Sequence, residues 1–550
     1  MTSAATEFDV VVAGAGAAGM TAALVAARAG LRALVVEKAG TFGGSTARSG
    51  GGVWAPNNNV LRAAGVPDTP RSALTYLAHI TGPEVPDELR RAFLDHAPAV
   101  ISFLQANTPL RFGWVRGYPD YYPEAPGGLP MGRSIEARPL DARVLGTERA
   151  HLAPPYLKAP NGMAITQADY RWMNLMARHP RGMLRTARVA GRRAISLLRK
   201  RELLTMGQAL AAGLRAGLTG AGVPVWLDTP LVSLHTEAGR VTGVVVLRDG
   251  EPLPVRALRG VVLTTGGFEH NERMRKEYQA EPIGTEWTVG APGNTGDGIE
   301  AGLRLGAAVG VMDDAWWGPS VPLPHGPYFC LAERTLPGCM VVNQAGARFV
   351  NEAAPYVDAV HAMYDGANIP AWLIADQRYR NRYVFAGLGP RQPFPRRWYA
   401  HGAVHRAGTV EDLAAAIGMP AESLRATVDR FNTFADTGLD KDFHRGESRY
   451  DHYYGDPRNR PNPCLGRIDR PPFYAIRIVP GDLGTKGGLR TDARARVLRP
   501  DGSVIEGLYA AGNASAPVMG HTYAGPGATL GPALVFGYLA ALDLGDDTCA

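Results

Sequence analysis

Toward its end the chain runs GHTYAGPGATLGPALVFGYLA, from Gly520 to Ala540. Tyr523 precedes a Gly-Pro-Gly turn that closes at Gly527, and an apolar, helix-like run follows. The stretch sets a phenol beside a bare backbone amide. Two fixed donors of that kind suit an oxygen that gains negative charge during a reaction. Read alone, Tyr523 also suits simple packing. A second group with chemical capacity lies near the start: Gly14, Gly16 and Gly19, then Glu37, 18 residues past Gly19. That pattern cradles a pyrophosphate and offers a carboxylate to a ribose.

Such residues work only if the right elements hold them. Phe8 to Ala13 reads as a buried strand, and Ala33 to Val36 as a second strand ending in Glu37. Between them Ala23, Ala26 and Gly30 give a helix a small-residue face that lies close on a sheet. Gly14 makes the turn, and Gly16 lets the amides at Ala17 and Ala18 approach a phosphate. Gly19 permits helix–strand contact, and the helix N-terminus adds its positive dipole end.

The sequence after Glu37 favours FAD over NAD. KAGTFGGSTARSGGGVWAP supplies Lys38, Gly43, Gly44, Ser45, Thr46, Ser49, Gly50 and Gly51. A loop this long, rich in glycine and hydroxyls, can follow an extended dinucleotide to a bulky ring system. Later segments are similar to the remote flavin contacts of flavoproteins: Thr265, Gly266 and Gly267 after a strand, Asn294 and Asp297 in a glycine loop, and Gly512 and Asn513 after another strand. Val232, Thr529 and Leu530 complete the expected cofactor contacts. No second G-x-G-x-x-G follows a strand, so electrons are expected to pass to an external acceptor, a quinone or another oxidant.

The chain has 550 residues, with hydrophobic content of 45% and charged content of 20%. That length exceeds one core and argues for at least two domains of an ordinary soluble protein. Cys330, Cys339, Cys464 and Cys549 form no C-x-x-C pair and read as free thiols of a reducing, cytoplasmic setting. The N-terminal residues carry no signal-peptide pattern, and no run of 18 apolar residues suggests a membrane span. Histidines lack metal-ligand spacing, so no metal is expected. No G-x-S-x-G elbow marks a serine hydrolase.

With these pieces in view, the chain resembles the 3-ketosteroid Δ1-dehydrogenases of the fumarate reductase/succinate dehydrogenase flavoprotein superfamily. EKAGTFGGSTARSGG and GLYAAGNASA are shared with the wider superfamily. YPDYYPEAPGG, RFVNEAAPY, GDLGTKGGL and YAGPGATLGPALVFGYLA extend the likeness over most of the chain, and the Asp-Tyr-Tyr, Asn-Glu-x-x-Pro-Tyr and Tyr-x-Gly-Pro-Gly pieces are more specific. The resemblance implies that Tyr523 and the Gly527 amide hold a steroid 3-keto oxygen. It implies Tyr356 as catalytic base and Tyr121 as its assistant, with Tyr122 adjacent and able to take the same role. It also implies a steroid whose α face meets the flavin while the tyrosines meet its β face.

The chemistry accommodates these types. The C2–H of a 3-keto-4-ene steroid is acidic because it adjoins a carbonyl, and its loss builds charge on the ketone oxygen. A tyrosine base, with a reference pKa of roughly 10, needs its phenolate stabilised. Two relatives of this reaction compete: Δ4-(5α) dehydrogenation of 3-ketosteroids, and fumarate-like reduction of a small acid. The latter needs arginine or histidine to grip carboxylates, and a site of three tyrosines argues against it.

The expected fold is α/β. A discontinuous Rossmann-like FAD-binding domain spans residues 1–316 and 482–550, with a basic helical insert at about 166–205. An α+β substrate-capping domain spans 317–481. Within it Arg348 and Glu352 read as a structural ion pair, and 409–432 as two amphipathic helices capped by Thr409. Lys486 is expected near the flavin. The formal charge of +7 is concentrated in 171–201, where no acidic residue interrupts ten basic ones. This segment reads either as a solvated basic helix packed on the flavin domain, or as an interfacial helix at the inner face of the plasma membrane. Nucleic acid is not expected, since no recognition motif accompanies the charge.

Overall fold

A computed structural model describes residues 6–157, 159, 162–366 and 368–546; Cys549 lies outside them. Near-continuous apolar runs form the central strands of the first sheet. Val10, Val11, Val12, Leu34, Val35, Val261 and Val262 are fully buried, as expected for parallel strands covered on both faces. The parallel strands are Ala33–Val36, Thr6–Ala13, Glu251–Leu263 and Val504–Ala510, adjacent in that order. Segments from both ends of the chain thus build one sheet. Ala13 is in register with Val36 and with Leu263, and Leu263 with Ala510. The glycine loops after these strands therefore emerge along one carboxyl edge, where open α/β sheets bind ligands.

The helix Ala17–Arg28 follows the first strand. A Cβ at Gly19 would stand 2.0 Å from the Gly14 carbonyl oxygen, so only glycine lets the helix lie this close. Gly30 falls beyond the helix, in a left-handed turn at φ 85°, rather than on its packing face. The last helix, Leu530–Asp546, lies on Ala17–Arg28, and a Cβ at Gly537 would come 2.4 Å from the Ala18 carbonyl oxygen. The loop that carries Tyr523 is thus anchored to the nucleotide helix.

A second, antiparallel sheet runs Gly326–Phe329, Ala315–Leu323, Phe473–Thr485, Ala371–Asp376, Cys339–Val342, with Val404–Ala407 also paired to Phe473–Thr485. The helices Val410–Ala416 and Ala421–Thr437 cover one face through Leu413, Leu424 and Phe431. Thr409 caps the first by accepting from the Asp412 N–H at 3.0 Å. Arg348 pairs with Glu352 at 2.8 Å and Asp440 at 2.8 Å, and Arg445 joins Glu352 at 3.0 Å, all buried. This ion cluster is structural, as expected. Cys330, Cys339 and Cys464 are buried free thiols.

Candidate active site

The phenol rings of Tyr121, Tyr356 and Tyr523 meet in one cluster. Tyr121 and Tyr523 stack with centroids 5.2 Å apart, Tyr121 meets Tyr356 edge-on at 5.4 Å, and Tyr356 meets Tyr523 at 5.4 Å. All three are buried. Trp316 and Phe329 close the cluster, each 5.2 Å from Tyr523 and Tyr356 respectively, and Tyr450 lies 4.7 Å from Tyr121.

Each tyrosine is held by its own element. The Ala524 carbonyl accepts from the Tyr121 N–H at 3.1 Å and from the Tyr76 hydroxyl at 2.7 Å, which ties the Tyr121 loop to the residue after Tyr523. Buried Asp120 steadies the same loop by pairing with Arg133 and accepting from Trp54 Nε1 at 2.9 Å. Tyr356 is the first residue of the helix Tyr356–Tyr364, after Pro355, so it lies at the positive end of the helix dipole. Tyr122 does not join the cluster rings; its hydroxyl donates to Asp358 of that helix at 2.7 Å. It pins the helix that carries Tyr356.

Burial, and after it neighbouring Tyr523 and Tyr118, push the Tyr356 phenol well above its ordinary pKa, and Tyr121 opposes this in part. Burial also raises Tyr523, whose oxygen is faced by the Thr529 hydroxyl at 3.0 Å and by the amides of Gly527 and Thr529. Gly527 has φ 90°, and a Cβ there would stand 2.2 Å from Gly52 carbonyl atoms. Glycine is thus required by backbone contact, in addition to leaving the amide unobstructed. Lys486, fully buried, pairs with Asp314 at 2.6 Å and stands 5.0 Å over the Trp316 ring.

The residues expected from the sequence to hold the cofactor have the following surroundings. Glu37 accepts from the Ala15 N–H at 2.8 Å and the Ala39 N–H at 3.0 Å, and burial raises its pKa. Thr46 accepts from the Ala17 N–H at 3.0 Å, and Ser45 accepts from Asn294 Nδ2 at 3.0 Å. Gly43 donates to the Ala15 carbonyl at 2.9 Å, and Gly44 opens the helix Gly44–Arg48. Ser49 bonds the Thr46 carbonyl, and Gly51 has φ 67° against the Met206 backbone. Gly50 lies by Gln167. Thr265 accepts from the Gly298 N–H at 3.1 Å, while Gly266 and Gly267 abut Asn294 and Thr485. Gly512 approaches Ala18, and Asn513 accepts from Trp316 Nε1 at 3.0 Å, which links the cofactor edge to the tyrosine cluster. Leu530 opens the last helix.

Three further residues expected at the cofactor have these surroundings. Lys38 and Asp297 pair with each other at 2.7 Å, so each side chain is engaged by the protein itself. Val232 is 47% exposed, on the strand Leu231–Glu237, just after Thr229, whose N–H donates to the Glu37 carbonyl. Sequence reasoning missed Glu269, buried between Asn294 and Thr485, whose pKa rises to about 7 through burial and nearby Asp482. Only its place directly after Gly267 and Phe268 signalled it.

The glycine turn before Ala17–Arg28 leaves room for a phosphate. A Cβ at Gly16 would meet nothing closer than Thr46 Oγ1 at 3.8 Å, so the space before the helix N-terminus is open, and the first turn carries no acidic residue. Fold and site together define an FAD-dependent oxidoreductase, and a family model of an FAD binding domain matches residues 9–530. The chain is 57% identical over 554 residues to the 3-oxosteroid 1-dehydrogenase of Mycobacterium tuberculosis, covering 98% of each. It is 56% identical to that of Mycolicibacterium smegmatis, over 98% of this chain and 97% of the other. A crystal structure of 3-ketosteroid Δ1-dehydrogenase from Sterolibacterium denitrificans, in complex with 1,4-androstadiene-3,17-dione, superposes with a TM-score of 0.95 at 42% identity, covering 99% and 100%. The chain belongs to the 3-oxosteroid 1-dehydrogenase family.

Proposed function

We propose that the chain introduces the 1,2 double bond into 3-oxo-4-ene steroids at the tyrosine cluster. The observation that carries this reading is the mutual contact of Tyr121, Tyr356 and Tyr523 beside the Gly527 amide. The Tyr523 hydroxyl and Gly527 N–H hold the 3-keto oxygen and stabilise its developing charge; losing one such donor costs roughly 3 kcal/mol. Tyr356 removes the C2 proton. Tyr356 must carry the negative charge before it takes the proton; Tyr121, edge-on to it at 5.4 Å, and the helix N-terminus at Tyr356 would favour that phenolate. The buried aromatic walls exclude water from the ring-A site. Hydride acceptance from C1 is the chemistry that bound FAD would supply. Gly14, Gly16 and Gly19 with the first turn of Ala17–Arg28 would hold its pyrophosphate, and Glu37 its ribose. An external acceptor such as a quinone would be needed to take up the two electrons.

In this reading residues 317–481 cap the substrate and the remainder binds FAD. The segment 171–201 supports peripheral contact with the inner face of an anionic membrane. On its helix Pro180–Leu198, Arg185 and Arg192 reach the buried Asp169 at 3.2 and 3.0 Å, while Arg181 and Arg188 are exposed. Its apolar side faces out: Met183, Leu184, Ile195, Leu197 and Leu198 are exposed, Leu198 by 84%. An exposed apolar face flanked by arginine is the pattern of an interfacial helix. No helix of the described residues is long and apolar enough to cross a membrane.

The test is turnover of androst-4-ene-3,17-dione against its 5α-saturated counterpart, with the product double bond located by NMR. A 1,4-diene from the first substrate is expected. A 4-ene formed only from the second would overturn the Δ1 assignment.

A further inference from the structure

A cavity of about 1190 Å³ lies between the helix Pro180–Leu198 and the helix Gln377–Arg382, away from the tyrosine cluster. Five arginines line it, Arg178, Arg378, Arg382, Arg391 and Arg470, and no carboxylate does. Three are already compensated: Arg178 by Asp456 at 2.9 Å, Arg378 by Asp469 at 2.5 Å, and Arg470 by Asp469 at 3.7 Å. Arg382 and Arg391 make no ion pair or side-chain hydrogen bond within the described residues. Two guanidiniums without an acidic partner, in a groove with no carboxylate and with Gln377 and Asn381 beside them, suit an oxyanion ligand.

The opposite wall is largely apolar, apart from Thr186 and the paired Arg178. Met183, Ala187 and Ala190 recur on one stripe of the helix and face the cavity. That stripe continues into the exposed leucines of the outward face. A ligand that fills the space must therefore be anionic at one end and apolar at the other, with the apolar end leaving beside a membrane-facing surface.

We propose that this groove binds the phosphate of an anionic phospholipid, with Arg382 and Arg391 as the principal ligands and the acyl chains running along Met183, Ala187 and Ala190. The inference rests on the membrane reading of 171–201 and gives it a specific headgroup site. It explains why apolar side chains and free guanidiniums occur on two elements distant in sequence yet adjacent in space. A generic basic helix requires only the first.

The test is co-sedimentation of the FAD-loaded protein with phosphatidylcholine vesicles and with vesicles containing phosphatidylglycerol. The wild type and the double variant Arg382→Ala/Arg391→Ala are compared. The wild type is expected to prefer the anionic vesicles by roughly tenfold or more, and the double variant to lose that preference. Its thermal midpoint and its turnover of dissolved steroid should stay unchanged. A double variant with full preference overturns the groove while the helix reading stands. Equal binding of the wild type to both vesicles does the same. No binding of the wild type to either vesicle ends both. Calorimetry with dihexanoyl phosphatidylglycerol below its micelle concentration and with inorganic phosphate separates lipid from free anion. Equal affinity for the two would overturn the lipid assignment.

Discussion

The rings of Tyr121 and Tyr523 stack at 5.2 Å and 19°, although the two residues lie at opposite ends of the chain. The Ala524 carbonyl, bonded to the Tyr121 N–H, fixes the stack. Because the Tyr523 ring is packed against Tyr121, Trp316 and Tyr356, removing its hydroxyl gives up the Thr529 contact but should leave the ring in place. Tyr523→Phe is expected to keep flavin and lower kcat/KM by about 100- to 1000-fold, the loss typical of one oxyanion donor. Steady-state kinetics checks this, with the flavin spectrum as the control.

Gly16 and Gly19 separate cofactor loss from misfolding. Gly16 has φ −84° and open space where a side chain would go, so Gly16→Val should fold and purify colourless, without FAD. Gly19→Val places atoms 2.0 Å from the Gly14 carbonyl and should fail to fold. Circular dichroism and bound-flavin content distinguish the two outcomes.

Gly527→Ala meets both a left-handed backbone and the Gly52 carbonyl. It should destabilise the protein by more than about 1 kcal/mol and impair turnover together. Urea unfolding of the FAD-loaded variant measures the first.

His521 bridges the substrate loop to Asp313 at 3.2 Å and Glu84 at 2.7 Å, and the Asp313 hydrogen bond, with Glu84, raises its pKa to about 9. A histidine whose folded pKa is raised stabilises fully below its unfolded pKa of roughly 6.5, and that contribution disappears as pH rises through about 9. The melting temperature should therefore fall between about pH 6.5 and 9. His521→Gln should flatten that limb, as differential scanning fluorimetry across pH would reveal.

The nucleotide half of the fold was legible because its signals are local. Strand, turn glycines, helix and terminal acid lie within Phe8–Glu37, and each constrains the next. The tyrosine trio was legible only through family resemblance, since no local pattern links Tyr121, Tyr356 and Tyr523. Their contact is made by long-range packing. The Lys38–Asp297 pair escaped notice for the same reason. In 171–201 the absence of acids within the segment was plain. That Asp169 and Asp456 outside it take up Arg185, Arg192 and Arg178 was not.

Single-turnover flavin reduction by androst-4-ene-3,17-dione under anaerobic conditions, in the wild type and in Tyr356→Phe, addresses the role of Tyr356 most directly. The wild type should bleach its flavin and release one equivalent of the 1,4-diene. The variant should bind steroid and keep its FAD, yet bleach at least about 100-fold more slowly. Equal bleaching rates in the two proteins would contradict Tyr356 as the group that takes the C2 proton.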